Sequence, residues 1–275
     1  MIVTQLFSRR WWYVTIFVIL GVIFLARLGF WQLDRLAQRR ELNQLIVERW
    51  DQAPFDLNQN TLPTQFEELG YRRIQANGVL DYDHQIVLKN QNRDTAPGAN
   101  LVTPLLLPDG QAILVARGWI PYNSSKPEDW PQFNETSNET SSDAPPEVRV
   151  VGMIQKSQVL PGATAPETPQ TEWFRIDIEA IQRQIPYPLL PVFLTQLPEP
   201  GRAYDALPYR TVPFEITEGN HFSYALQWFM FAAILGGGYL PYIAYQEKRR
   251  QRLQTGEQLD SNVTPDAHVD LPAMS

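Results

Sequence analysis

Two long apolar runs stand near the ends of the chain and frame everything between them. Trp11 to Ala26 carries no charge, and as a helix these sixteen residues span about 24 Å. That is slightly short of a ~30 Å hydrocarbon core. Continuing through Arg27 to Trp31 supplies the missing length, with the Arg27 guanidinium snorkelling to the headgroups. The second run, Phe222 to Tyr245 (FSYALQWFMFAAILGGGYLPYIAY), is also free of charge. The pattern predicts transmembrane helices over 11–31 and 222–245. A cleaved signal peptide is the rival for the first run, but Arg27-Leu28-Gly29-Phe30-Trp31 lacks a small-residue cleavage pattern.

Between the runs the periodicity changes twice. Leu33, Leu36, Ala37, Arg40, Leu45, Ile46 and Trp50 keep helical spacing until Pro54, which predicts a stalk helix over 32–52. From Tyr71 the period is two. YRRIQANGVLDYDHQIVLKNQ reads as strands broken at Asn77-Gly78 and near Asp83. LVTPLLL, Pro108-Asp109-Gly110 and QAILVARGWI form a hairpin with Asp-Gly turn chemistry. VRVVGMIQKS and PVFLTQL are further strands, and a short helix starts near Ile178 and stops at Pro186. The polar tract 123–147, with its Asn-X-Ser/Thr triplets at Asn123, Asn134 and Asn138, reads as a flexible loop, and 246–275 as a disordered tail. The expected fold is an α+β membrane protein, with two transmembrane helices flanking a mainly antiparallel β domain over 32–221.

Charge sets the orientation. Arg9 and Arg10 precede the first run, while Lys248, Arg249, Arg250 and Arg252 follow the second, whose other flank holds Glu215 and Glu218. Arg35, Arg39 and Arg40 dissent and are partly offset by Asp34, Glu41 and Glu48. Both termini are therefore expected in the cytoplasm, with residues 1–10 and 246–275 inside and the middle on the periplasmic side. Ten residues before the first run leave no room for a mitochondrial transit peptide, so a bacterial plasma membrane is the simplest home. The net charge of −7 excludes a basic nucleic-acid-binding surface. The absence of cysteine excludes disulfides, thiolate metal sites and covalent c-type haem attachment.

Three segments occur in a telling order: LGFWQLDRLAQRRELNQLI, then GANLVTPLLLPDGQAILVARGWIP, then NHFSYALQWF. Together they resemble the Surfeit-locus protein 1 family of cytochrome c oxidase assembly factors, over about Gly21 to Tyr245 without the loop 123–146. The long Asn/Ser/Thr-rich loop departs from the shorter bacterial pattern. The resemblance implies a two-anchor, non-enzymatic protein that assists maturation of oxidase subunit I. It also implies haem a as a transient cargo, with His221 as the ligand to the haem iron. Subunit I and the lipid bilayer are the expected partners, haem a synthase is a further candidate, and nucleic acid is not one. The alternative is a scaffold that binds subunit I without carrying haem.

The residues allow that chemistry and also blander ones. On a helix, His221, Tyr224, Ala225 and Trp228 share one face. His221 offers an imidazole nitrogen, Tyr224 and Trp228 offer aromatic walls, and Ala225 leaves room for a macrocycle edge. The bland reading makes His221 a helix cap and the aromatics an interfacial belt. Ala232, Ala233, Gly236 and Gly237 allow close helix approach, and the glycines followed by Pro241 are a place for a bend. Arg27 and Trp31 are expected at a similar depth, with Arg27 meeting either a haem propionate, Glu218 or lipid phosphate. Elsewhere, Asp81-Tyr82-Asp83-His84 reads as a solvated turn, since a strand would place both aspartates opposite His84. Arg117-Gly118-Trp119 is a candidate partner surface or an Arg-on-Trp stack. His268 lies in the tail. No nucleophile–base pair, phosphate loop or HExxH motif occurs.

Overall fold

A computed structural model describes residues 8–135, 146–159, 166 and 168–261. It divides into two compact units, a helical one (Met1–Glu41 with Thr217–Ser275) and a β-rich one (Leu42–Ile216).

Helix α1 runs unbroken over Trp12–Asp51. The expected anchor and stalk are thus one helix of 40 residues, about 60 Å long. Nothing between Gly29 and Asp51 interrupts it, and it stops three residues before Pro54, which cannot donate to the ladder. Helix α3 covers His221–Ser261 and passes through Pro241 without interruption. The tail expected to be disordered from Gln246 is therefore helical to Ser261. His268 lies outside the described residues.

Within the helical unit the two helices pack side by side. On α1 the buried or half-buried positions include Thr15, Val18, Val22, Leu25, Gly29, Gln32, Leu36 and Arg39. On α3 they include Ala225, Phe229, Ala232, Gly236, Tyr239 and Ile243. Both stripes alternate steps of three and four, the seam of a left-handed coiled pair. Small residues set the close approach. A Cβ at Gly29 would sit 2.6 Å from the Phe229 ring, so this position has no room for any side chain. Around the seam, Phe17, Leu20, Ile23, Phe24, Leu226 and Ile234 are exposed. Both helices are long and apolar enough to cross a membrane.

The β-rich unit contains β1 (Phe55–Asp56), β2 (Arg73–Leu80), β3 (Ile86–Leu88), β4 (Gly98–Leu106), β5 (Ala112–Pro121), β6 (Glu147–Lys156), β7 (Glu172–Trp173), α2 (Ile178–Gln182) and β8 (Leu189–Gln196). The sheet order is β1-β2-β6-β8-β5-β4-β3-β7, and β2 also pairs with β4. That extra pairing closes β2-β6-β8-β5-β4 into a barrel. The sheet is mixed rather than uniformly antiparallel, because β1–β2, β3–β7 and β5–β8 are parallel. Asn77-Gly78, which reads as a strand break, lies inside β2. At this point β2 meets β4 while still paired with β6, and a Cβ at Gly78 would collide with the Leu106 carbonyl. The missing side chain is what lets the barrel close.

Barrel closure buries both faces of β5. Ile113 and Val115 point into the barrel with Ile74, Leu105, Val150 and Leu194. Leu114 and Ala116 pack outward against Ile176 and the helix residues Ile178 and Ile181. The expected flexible loop 123–147 is ordered at its start. Pro127–Phe133 forms a 3-10 helix whose Trp130 and Phe133 are buried against Val87, Ala99, Leu101 and Ile120. Two aromatics within a polar tract supply enough apolar area to fold it down. Residues 136–145, with Asn138, lie outside the described residues.

Candidate functional site

Helix α3 begins at a built corner. Gly219 takes φ +67°, and the Tyr224 amide donates to the Asn220 carbonyl at 3.0 Å, so the helix starts at His221. Just before it, Arg40 grips Glu218 with two hydrogen bonds of 2.8 and 2.9 Å, and Arg39 donates to the Thr217 carbonyl at 2.9 Å. The hydrogen bond from Arg40 holds the Glu218 carboxyl below its usual range. Glu218, expected as the acidic neighbour of Arg27, is thus engaged by Arg40. The pair ties the helix start to α1 one turn beyond the histidine.

His221 is half-buried, and its Nδ1 lies 2.9 Å from Gln32 Oε1. With the Gln32 carbonyl oxygen turned to the ring, Nδ1–H is the donor of this bond and Nε2 is the ring nitrogen left available for coordination. This second group holds the ring in one tautomer and one orientation, the arrangement found behind metal-ligating histidines. Gln32 is the residue that sequence reasoning missed. It lies in the quoted GFWQL segment, but only antiparallel helix packing brings it to His221.

The remaining candidates separate into two groups. Ala225 is 1% exposed and belongs to the helix seam, so it offers no open space. Tyr224 is 50% exposed and Trp228 half-buried. Helical geometry puts both on the flank of α3 where His221 stands. Arg27 and Trp31 are exposed and lie about 160° around α1 from Gly29, the point of contact with Phe229. Helical spacing keeps Tyr224 and Trp228 on the flank of His221, while Arg27 and Trp31 lie on the opposite side of the helix pair.

The β-rich unit holds two polar centres of its own. At β5, Leu101 pairs with Gly118 and Val102 with Ala116, so Arg117 is the extra residue of a bulge. The bulge turns Arg117 inward, and it is fully buried. Its Nη1 donates to Gln85 Oε1 at 3.0 Å, its Nη2 to the Phe133 carbonyl, and its guanidinium lies 5.2 Å from the Tyr82 ring. Burial lowers its pKa, partly countered by Tyr82 and Glu135. Arg210 packs beside it, donating to the Arg117 carbonyl at 2.8 Å, to Glu135 at 2.7 Å and to Glu199. Burial pushes the Glu135 carboxyl up, but the charge and hydrogen bond of Arg210 outweigh it and hold it below its usual range. Of the two alternatives for Arg117-Gly118-Trp119, a partner surface or an Arg-on-Trp stack, the stack is made by Arg93 rather than Arg117. Arg93 lies 5.9 Å from Trp119 and only 3.4 Å from Tyr209, at the edge of a cavity of about 510 Å³.

The second centre is the turn expected at Asp81-Tyr82-Asp83-His84, although Asp81 and His84 are half-buried in it rather than fully solvated. The residues form a turn, in which Asp81 Oδ1 accepts from the Asp83 and His84 amides. Asp81 Oδ2 then meets His84 Nδ1 at 2.7 Å and accepts from the Tyr187 hydroxyl at 2.6 Å. Burial pushes the Asp81 carboxyl up, yet the bonds from Tyr187 and His84 win, and its pKa is lowered. Burial and Asp81 push the Tyr187 hydroxyl well above its usual value. A carboxyl with a depressed folded pKa contributes stability above the unfolded value, about 3.9, and loses it as pH falls through the folded value. Tyr187→Phe removes one bond, so Asp81 titrates at higher pH by carbon-13 NMR and acid unfolding begins at higher pH. An unmoved Asp81 titration would refute this account.

Among the described residues there is no cluster of three or more His, Asp or Glu fit to hold a metal ion. Fold and site define a class: a protein of two apolar helices and a small β-barrel, with one helix-terminal histidine whose ring is fixed from behind. Residues 19–233 match the model of the SURF1 family. The chain belongs to the SURF1 family, whose members are known as cytochrome c oxidase assembly factors. A SURF1-like protein of Rickettsia bellii is 26% identical, covering 79% of this chain and 86% of that protein. One from Dictyostelium discoideum is 25% identical over 58% of this chain and 67% of its own length. Surfeit locus protein 1 of Xenopus tropicalis is 26% identical, with less than half of either chain matched.

Proposed function

We propose that this chain is a membrane-anchored, non-enzymatic assembly factor for cytochrome c oxidase that holds haem a as cargo on His221 and assists its delivery to subunit I. The observation that carries the reading is the Nδ1–Gln32 hydrogen bond, which leaves Nε2 free to bind iron. Tyr224 and Trp228 on the same flank supply apolar walls, and a single protein ligand keeps the binding reversible, as a donor requires. In this reading α1 and α3 span a bacterial plasma membrane. The basic flanks after Arg9 and before Arg252 lie at one end of the helix pair, where Trp11 Nε1 donates to Glu247 at 2.9 Å. That end faces the cytoplasm by the charge rule, which puts His221 near the opposite surface.

A strain lacking the gene tests the role. The expected result is oxidase subunit I present as apoprotein and depleted of haem a. Loss of subunit association with haem content intact would instead identify a scaffold that carries no haem. Normal oxidase in the deletion strain would reject both.

A further inference from the structure

The outward face of α1 carries a second pattern that the histidine site does not use. Arg27, Trp31 and Arg35 follow one another at four-residue steps, about 6 Å apart along the axis. All three are exposed, Trp31 at 44%. The Arg35 guanidinium stands 5.8 Å from the Trp31 ring and its hydrogen-bond partner, Gln38 at 3.0 Å, is neutral. Arg27 has no ion pair among the described residues. By contrast, Arg39 and Arg40 of the next turn are committed to the Thr217 carbonyl and to Glu218. The nearest carboxylate on this face, Asp34, is about 10 Å along the axis from Arg27; it is the chain neighbour of Arg35 and forms no ion pair with either arginine among the described residues.

Toward the N-terminus the same face turns apolar. Leu20, Ile23 and Phe24 are 59, 59 and 63% exposed. The face therefore passes from a bare hydrocarbon strip to a guanidinium, an indole and a second guanidinium within about four helical turns. These chemistries fit a phospholipid whose acyl chain lies on the apolar strip and whose phosphate sits near the level of Trp31, within reach of the long Arg27 and Arg35 side chains from either side. We infer that the outer face of α1 is a binding site for an anionic phospholipid, with its phosphate on Arg27 and Arg35, its interfacial region against Trp31, and its acyl chain along Leu20, Ile23 and Phe24. The inference rests on the reading that α1 spans the membrane. It assigns Arg27 and Trp31 to lipid, and it accounts for two arginines kept on the flank where the charge rule disfavours them.

The test uses the full chain purified in detergent, incubated with equal amounts of phosphatidylglycerol and phosphatidylcholine, with retained lipid counted by native mass spectrometry. Wild type retains phosphatidylglycerol preferentially. R27Q/R35Q loses that preference, about fivefold per arginine, while phosphatidylcholine retention is unchanged. Equal preference in wild type and variant overturns the site, as does a wild type without preference. Displacement by millimolar inorganic phosphate would point to a soluble phosphate ligand and also overturn it. Carbonate extraction of membranes separates the two failures. If the wild-type chain stays in the pellet, the anchor reading stands whatever the lipid result; if it is released, the anchor reading itself fails.

Discussion

With His221 in the proposed haem-carrying role, His221→Ala abolishes the haem absorbance of protein purified from cells that make haem a. Among the described residues the imidazole Nε2 is the strong iron donor on the flank that Tyr224 and Trp228 line, and alanine supplies nothing in its place. The change is small in structural terms. His221 is at the first turn of α3 and half-buried, and the clamp from Arg40 to Glu218 remains. Gln32→Leu separates ligation from folding. It leaves the imidazole present but removes the acceptor that fixes its tautomer, so haem affinity falls by roughly 10–100-fold. Gln32→Glu keeps an acceptor at the same reach and retains binding. A purified His221→Ala protein with an unchanged Soret band would end the ligand role.

The second large effect is on stability. Arg210→Ala removes the donor to the Arg117 carbonyl and to Glu135, and leaves a carboxylate largely buried beside a fully buried Arg117. Breaking a buried pair on one side costs up to about 3–5 kcal/mol, and here Arg117 at 3.9 Å and the 27% exposure of Glu135 hold the loss to the lower part of that range. The bond to Glu199 adds little, since that carboxylate is 44% exposed and screened by water. For a unit of this size that range corresponds to a Tm lowered by roughly 6–20 °C, with the lower part expected. Thermal unfolding of the full chain in detergent, followed by near-ultraviolet circular dichroism, measures it. Arg210→Lys recovers only part, since a compact ammonium cannot reach the Arg117 carbonyl, Glu135 and Glu199 at once as the wide planar guanidinium does. An Arg210→Ala protein melting with the wild type would show that the network holds nothing together.

Much of this molecule is legible one segment at a time. The apolar runs, the period-two stretches and the Asp-Gly hairpin at Asp109-Gly110 all rest on interactions between neighbours in the chain, and they recur in α1, α3, β2, β4 and β5. The errors have a common origin. Gly78 reads as a break because a glycine in isolation weakens a strand, whereas here it makes room for the Leu106 carbonyl of a strand that arrives from elsewhere. Trp130 and Phe133 sit in a tract whose composition is that of a loop, and the surface that captures them is built by β3, β4 and β5. Arg117 alternates as a strand residue on paper, and a one-residue bulge against β4 turns it inward.

The histidine shows the same division most clearly. Its place at the mouth of an apolar helix, the lack of competing thiolates and the company of Tyr224 and Trp228 follow from sequence alone, because they depend on composition and on helical spacing within one segment. That Nδ1 is bound and Nε2 free depends on Gln32, 189 positions away. That Arg27 and Trp31 face away from it depends on which stripe of α1 meets α3. Both are decided by how Gly29 and Ala225 let the helices pack, a matter of contact between distant segments that no local pattern encodes.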